Sequence, residues 1–332
     1  MAIEDVLSKL DKKTRDRIVA ASDLHVELGP TPSVGLNIGL GGGFAYGRQT
    51  LLWGNKSCGK STLCMALIGQ EQKKGKTALW IDAERTFDPV WARRHGVNTD
   101  DLQVSTAASV EKFANDSIQF MHSGIDIIVV DSITALLPSG YYSDTDELKL
   151  FEKTGAIGGV ARDLSRAIPM ISGTNEKTMV ILISQQRNKI GQMFTSIEPT
   201  GGFAPKFYSS TIVKLWSSES DKQAIKGKIH AGDRIIEANI GRRVNWEVQN
   251  NKLAAQGTSG AYDFYYLGEH VGVDAIGEIA DLSETYGLIT KSGAWYKIGD
   301  QAVQGRAGVV EYLREHTDIA ERLIGEIGDK SR

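Results

Sequence analysis

Cysteine is scarce in this 332-residue chain: the two present, Cys58 and Cys64, lie within one short stretch. A disulfide scaffold is therefore excluded, and reducing, cytosolic conditions fit best. With no Cys or His cluster around them, both read as small packing residues rather than metal ligands. No apolar run is long enough to cross a membrane, and the start Met1-Ala-Ile-Glu-Asp-Val6 lacks the charged-then-apolar layout of a signal peptide. A soluble, cytoplasmic protein with no membrane partner is expected. The formal charge of −3 carries no whole-chain signal for nucleic acid, so any such surface must be local. Internal repeats and low-complexity tracts are also missing. The length suggests one large α/β domain with one or two small ones.

What is present starts with Gly54-Asn55-Lys56-Ser57-Cys58-Gly59-Lys60-Ser61-Thr62. Two glycines five apart, then Lys and a hydroxyl residue, fit the P-loop pattern. The apolar Thr50-Leu51-Leu52-Trp53 before it reads as a buried strand, and Leu63 to Ile68 after it as a helix. In that strand-to-helix turn, successive backbone N–H groups converge on an anion, and the helix N-terminus adds partial positive charge. Lys60 would reach the β- and γ-phosphates and the Ser61 hydroxyl would ligate Mg²⁺. A bound nucleoside triphosphate is expected.

From Gln49 the pattern alternates strand and helix, with strands expected at 50–53, 77–82, 102–104, 126–131, 178–184 and 207–216 and helices at 60–72, 109–122 and 159–171. Continuous apolar strands such as Ile125 to Val130 indicate a mostly parallel twisted sheet covered by helices on both faces. Residues 3–21 suit one amphipathic helix or two short ones. Pro30, Pro32 and the glycines from Gly39 to Gly43 read as a linker. Residues 234–240, 244–249 and 261–267 read as further, antiparallel strands. Beyond Gly268, helical patterns at 274–286 and 306–327 surround Gly293-Ala-Trp-Tyr296, giving a small α+β C-terminal domain. The expected division is an arm and linker at 1–33, an ATPase core at 34–267 and a C-terminal domain at 268–332. Two long loops, about 138–158 and 187–206, interrupt the core, and loops of that length are usually functional.

Two carboxylates stand where a nucleotide hydrolase needs them. Asp131 ends the strand Ile127 to Val130, the arrangement in which an acid at a strand's C-terminal edge holds hydrated Mg²⁺. Glu84 follows the strand Ala78 to Ile81 and is the candidate for polarising the attacking water. Gln185, at the end of Met179 to Ile183 and just before the second long loop, could hydrogen-bond the γ-phosphate and act as a switch. The alternative for Asp131 and Glu84 is a solvated loop acid, which local pattern disfavours, whereas an amide at a strand end, taken singly, is more often a plain cap.

The motifs occur in a recognisable order. Gly54 to Thr62, Ile81-Asp-Ala-Glu84, Asp88-Pro89, Val129-Val-Asp-Ser132, Gln185 to Gly191, Gly201-Gly202, Lys206-Phe-Tyr208 and Gly293-Ala-Trp-Tyr296 together resemble the RecA recombinases over roughly residues 34–327. The resemblance implies a RecA-like fold and an ATP-dependent enzyme that forms filaments on single-stranded DNA, pairs it with homologous duplex and exchanges strands. It implies Glu84 as the catalytic glutamate, Gln185 as γ-phosphate sensor, and Asp88 and Trp91 as adenine contacts, Trp91 standing where the family commonly has Tyr. Leu267-Gly268 falls where a Tyr-Gly pair often closes the other side of the base. For DNA it implies Arg187, Asn188, Lys189, Ile190, Gly191, Gly201, Gly202 and Phe203 of the second loop, with Arg162 and Ser165 of the preceding helix. The N-terminal arm would dock on the next subunit, and a head-to-tail contact that does not close gives a helical filament.

Departures from the family pattern are equally plain. The first long loop is long and acidic, and its Tyr141 and Tyr142 would meet either bases or a neighbouring subunit. Trp216 and Ser217 replace an Arg pair at the secondary DNA site, although Lys222, Lys226, Lys228, Arg234, Arg242 and Arg243 lie close by. Of two lysines that reach the neighbouring subunit's γ-phosphate in the family, the second is kept as Lys252 but the first is Asn250. Losing one cation weakens charge stabilisation of the transition state, so hydrolysis is slower or a monovalent cation such as K⁺ replaces the charge. The short arm and altered loop point towards a viral or otherwise divergent copy, with a single-strand binding protein and a loader as further partners. Two alternatives remain open: a ring-forming helicase on the same core, and a non-catalytic mediator.

Overall fold

The computed structural model describes residues 3–138, 159–188, 197–218, 223–231, 234–268 and 270–331. Two short helices, α1 (Ile3–Leu7) and α2 (Lys12–Arg15), open the chain without a single buried residue. The strands β1 (Leu28–Gly29) and β2 (Phe44–Ala45) pair antiparallel and bracket helix α3 (Val34–Leu40). The expected linker is thus replaced, over 34–40, by a helix. Ser33 caps it by accepting from Leu36 N–H at 3.1 Å, and Gly41 ends it in the left-handed conformation at φ 79°. Its glycines hid it from a propensity reading, yet Leu36 and Leu40 are fully buried.

The centre is a sheet of six parallel strands: β3 (Gln49–Gly54), β4 (Ala78–Asp82), β5 (Leu102–Ser105), β6 (Ile127–Asp131), β7 (Met179–Asn188) and β9 (Thr211–Trp216). Their order is β9-β3-β7-β6-β4-β5. The short β8 (Ile197–Pro199) pairs antiparallel with the end of β7. Successive side chains of a strand face opposite ways, so each strand feeds two cores. On one face Leu52, Trp80, Val129 and Ile181 pack with Leu63, Leu67 and Ile68 of α4 (Lys60–Gln72). On the other, Leu51, Leu79, Ile128 and Leu182 pack with Phe113 of α6 (Val110–His122) and with Leu164 and Ile168 of α7 (Gly159–Thr174). Each such fully buried side chain contributes about 2 kcal/mol, which is why these strands are apolar throughout. The short α5 (Pro89–Arg94) follows β4.

The expected strand at 207–216 is shorter, because residues 203–208 form helix α8 (Phe203–Tyr208) and β9 begins only at Thr211. Beyond β9 the sheet turns antiparallel through β11 (Arg234–Asn251) and β12 (Ser259–Tyr265), joined by the two-residue β13 (Gly272–Val273). The strand β10 (Ala224–Ala231), absent from the sequence reading, pairs with the first half of β11 as a ribbon. The C-terminal unit comprises α9 (Ala275–Thr285), a small sheet of β14 (Thr290–Ser292), β15 (Trp295–Ile298) and β16 (Gln301–Gln304), then α10 (Gly305–Glu315) and α11 (Thr317–Lys330). The helix expected at 306–327 is broken at His316. Ile279, Ile289, Leu313, Leu323 and Ile327 form its core, against which Val34 and Ile38 of α3 also pack. Buried Glu278 ties the two units by accepting from Ser33 Oγ at 2.8 Å and from the N–H groups of Val34 and Gly35. Burial nonetheless pushes its carboxyl up to about 7, with those hydrogen bonds acting in the opposite sense.

Candidate functional site

The strand register gathers the site. Gly54 pairs with Gln185 and Asp82 with Asp131, so the motif residues stand at the C-terminal edge of one parallel sheet, where open α/β sheets bind ligands. At Gly54 any Cβ would lie 1.7 Å from the Leu215 carbonyl oxygen, so only glycine allows the strand to leave the sheet there. Ser57 at φ 58° and Gly59 at φ 90° curl the loop left-handed before α4 starts at Lys60. Asn55 pins the loop to β9, donating to the Ser217 carbonyl and accepting its N–H. The buried Lys60 ammonium donates to the Asn55 carbonyl at 2.8 Å and lies 3.7 Å from the Cys58 sulfur. Cys58 and Cys64 are both buried, and desolvation pushes both thiols up, as packing residues should behave.

Asp131 is buried beside Ser61. Desolvation pushes its carboxyl up to about 6, a hydrogen bond with Ser61 pulls it down, and the Glu84 charge adds to the rise. Two hard oxygen donors side by side fit a magnesium ion that takes its other ligands from phosphate and water. Among the described residues no group of three or more His, Cys, Asp or Glu forms a closed metal site. Glu84 follows β4 in a turn whose backbone is tied to Asp131, with Ala83 N–H donating to the Asp131 carbonyl at 2.9 Å. The Glu84 carboxylate accepts from Ser132 Oγ at 2.5 Å and from the Gln185 side-chain amide at 2.8 Å. Residues 101 positions apart in sequence thus meet directly.

Beside the P-loop lies a pocket of about 270 Å³, walled by Ser57 to Thr62, Trp91, Arg242, Val244, Phe264 and Tyr266. The Trp91 indole N–H donates to Thr62 Oγ1 at 3.3 Å, and its ring meets His95 edge-on at 4.6 Å. Burial, with the Arg94 charge, pushes His95 down to about 4. Asp88 caps α5 by accepting from Val90 N–H; it is exposed and is not among the residues that wall the pocket. Leu267 and Gly268, which the resemblance sets beside the base, are not among the residues that wall this pocket. Tyr266 forms that wall, and Gly268 instead lines a neighbouring cavity of about 470 Å³ with Arg94, Tyr265 and Asp274. Tyr266 and Phe264 were missed, and Arg242 was read only beside the secondary DNA site, because strand alternation alone does not say which face of β11 and β12 meets the P-loop.

Sequence profiles agree with this geometry. That of the RecA N-terminal domain matches residues 1–269 and that of the RecA C-terminal domain residues 277–332. The chain belongs to the RecA family. It is similar to Protein RecA of Teredinibacter turnerae, at 36% identity with 97% of this chain and 91% of the relative covered. Protein RecA of Chloroflexus aurantiacus is 38% identical, with coverage of 92% and 84%. Protein RecA 2 of Myxococcus xanthus is 37% identical, with coverage of 91% and 80%.

Of the DNA residues that the RecA resemblance implies, several share one surface. The glycines Gly201 and Gly202, both at positive φ, return the second loop onto α7, where a Cβ at Gly202 would meet the Ala161 side chain at 3.1 Å. Ser165 lies one turn on, donating to the Ala161 carbonyl, and lines a shallow pocket with Phe203 and Phe207. Arg162 is on the same helix, and Phe203 is 86% exposed. Arg187 and Asn188 end β7, paired with Glu198 and Ile197 of β8. Lys189, Ile190, Gly191 and Lys222, with Tyr141 and Tyr142 of the first loop, lie outside the described residues. Lys252 is separate from the P-loop. Its N–H donates to the Ser210 carbonyl, beside the start of β9, whereas Gly54 pairs with Leu215 near that strand's far end. Four residues of strand, about 13 Å, keep its base from the P-loop of its own chain. Asn250 pairs with Ile212, also near the start of β9 and so on the Lys252 side, away from the P-loop. No helix among the described residues is long and apolar enough to cross a membrane.

Proposed function

We propose that this chain is an ATP-dependent recombinase that assembles on single-stranded DNA, pairs it with homologous duplex and exchanges strands, hydrolysing ATP as it does so. The single observation that carries this reading is a hydrogen-bonded path between the nucleotide site and the DNA loop. The Gln185 side chain donates to Glu84, while its own carbonyl accepts both the N–H and the hydroxyl of Thr200, at 3.1 and 3.0 Å. Thr200 immediately precedes Gly201, Gly202 and Phe203. Because the Thr200 bonds go to the main-chain carbonyl of Gln185, a change at its side chain would reach the end of the proposed DNA loop through the Gln185 backbone.

In this reading Lys60 and the loop N–H groups hold the triphosphate, Glu84 orients and polarises the attacking water, and Asp88, Trp91 and Tyr266 surround the base. Ser61, and Asp131 through water, would hold a magnesium ion, which when bound would supply charge to neutralise the phosphates. The position of Lys252 at the end of β9 away from the P-loop supports its acting on a neighbouring copy, where a K⁺ ion would replace the charge that Asn250 lacks. Ile3, Val6, Ile18, Val19 and Leu24 of the arm are exposed, which supports docking on the next subunit in an open helical filament. Arg187, Lys189 and Phe203 would grip the strand backbone and wedge between bases. A single-strand binding protein and a loader would act before assembly.

The test is the ATPase rate with and without single-stranded DNA, measured alongside joint-molecule formation from homologous substrates. DNA-stimulated hydrolysis with joint molecules is the expected result. Hydrolysis that ignores DNA, with no joint molecules, contradicts the reading.

A further inference from the structure

Arg242 is a cation of the nucleotide pocket to which neither the P-loop pattern nor the family resemblance assigns a role there. It neighbours Arg243 on β11, so the two side chains leave on opposite faces. Arg243 is paired, 3.0 Å from Asp263. Arg242 instead goes to the P-loop face: its Nη1 donates to the Ser57 carbonyl at 3.3 Å and its guanidinium carbon lies 5.7 Å from the centre of the Tyr266 ring. It lines the same pocket as Lys60, Ser61 and Trp91. Among the described residues no carboxylate stands within ion-pair distance of it.

A guanidinium carries five N–H donors in a fixed plane. One bond to a neutral carbonyl uses one of them, and the Tyr266 ring under the plane holds its orientation. What remains is an unpaired cation at the edge of an anion cradle, with donors free for two oxygens of one phosphate. Its contact with Ser57, in the middle of the loop, puts it at the part of the cradle that wraps the α- and β-phosphates.

We propose that Arg242 is a second cation of the nucleotide site, supplied by the same chain as the P-loop and binding the α/β-phosphate region of the nucleotide. The proposal rests on the ATP reading above and deepens it. Arg242 would add a charge in cis to a site whose trans cations are reduced to Lys252.

Equilibrium binding of adenosine, ADP and ATP with magnesium, by calorimetry, tests it on the full-length wild-type protein and on R242Q, R242K and K60A. Wild type should bind ATP and K60A should not; failure of either overturns the ATP reading itself. R242Q should weaken ADP and ATP alike by about 10- to 100-fold, the size of one charge-assisted bond, and leave adenosine within about 2-fold. R242K, which keeps charge but not the planar fork, should fall between. Unchanged ADP and ATP affinity in R242Q overturns the proposal. So does an equal loss for adenosine, because Arg242 would then only shape the aromatic wall. Thermal melting of R242Q and R242K identifies any variant that fails to fold, and R242K decides the question if R242Q does so.

Discussion

Glu84 is the residue at which the chemistry is most exposed to test. Its carboxylate is held by Ser132 and by Gln185, and the backbone of its turn is tied to Asp131 independently of the side chain. Glu84→Gln keeps an oxygen acceptor of the same size, so the turn and the P-loop should remain intact. ATP affinity is expected within about 3-fold of wild type, while turnover falls by about 10²- to 10⁴-fold, the range for removing a positioned general base. Calorimetric binding and single-turnover hydrolysis measure the two separately. Lost binding with a lowered melting temperature would make Glu84 a structural residue.

Among the elements, the joint between α3 and α9 depends on pH in a calculable direction. Glu278 is buried, and its carboxyl is pushed up from an ordinary 4.5 to about 7. Between those values the folded chain holds the proton and the unfolded chain has released it, so its contribution to stability is present below pH 4.5 and is lost as pH rises to 7. The stability difference between wild type and Glu278→Gln, from urea titrations at pH 5, 6 and 7, should therefore move against wild type as pH rises. The expected change is about 1 to 3 kcal/mol across the window; a difference constant with pH would refute the buried-acid account.

The parallel strands at this scale were legible because a strand buried on both faces must be apolar throughout, as Ile127 to Val130 is. The helix α3 was not, since Gly39 and the glycines after it read as linker, while the lack of a side chain at Gly35 and Gly39 is what lets Trp246 and Glu278 approach. Phe207 and Tyr208 looked like strand by composition but form the end of α8. The P-loop, Glu84 and Asp131 were legible from strand-to-loop position. The bond between Glu84 and Gln185, the Tyr266 wall and the place of Arg242 depend on long-range strand pairing that local patterns do not encode.

At the scale of the whole molecule, two of the places that expose apolar side chains bear on assembly and DNA. One is the arm, with Ile3, Val6, Ile18, Val19 and Leu24. The other is Phe203 and Phe207 on α8, at 86% and 76% exposure. Isolated exposed apolar residues are ordinary, but the cluster along the arm suits a head-to-tail contact with the next subunit, while Phe203 is the residue read above as meeting DNA. Deletion of residues 1–24 removes no residue of the buried core, so it should leave monomer melting within about 2 °C and ATP affinity unchanged. Assembly on single-stranded DNA, read by sedimentation velocity, should fall by at least about 10-fold. Assembly equal to wild type would show that the arm is not part of the contact.

The central claim is that nucleotide and DNA sites are coupled through Gln185 and Thr200, and coupling of binding is reciprocal. The most direct measurement is the affinity of the full chain for a fluorescent single-stranded oligonucleotide, with and without a non-hydrolysable ATP analogue and magnesium. The account predicts at least about 10-fold tighter binding with the analogue, and loss of most of that gain when Gln185 is changed to Ala. An oligonucleotide affinity that is the same with and without the analogue would contradict it.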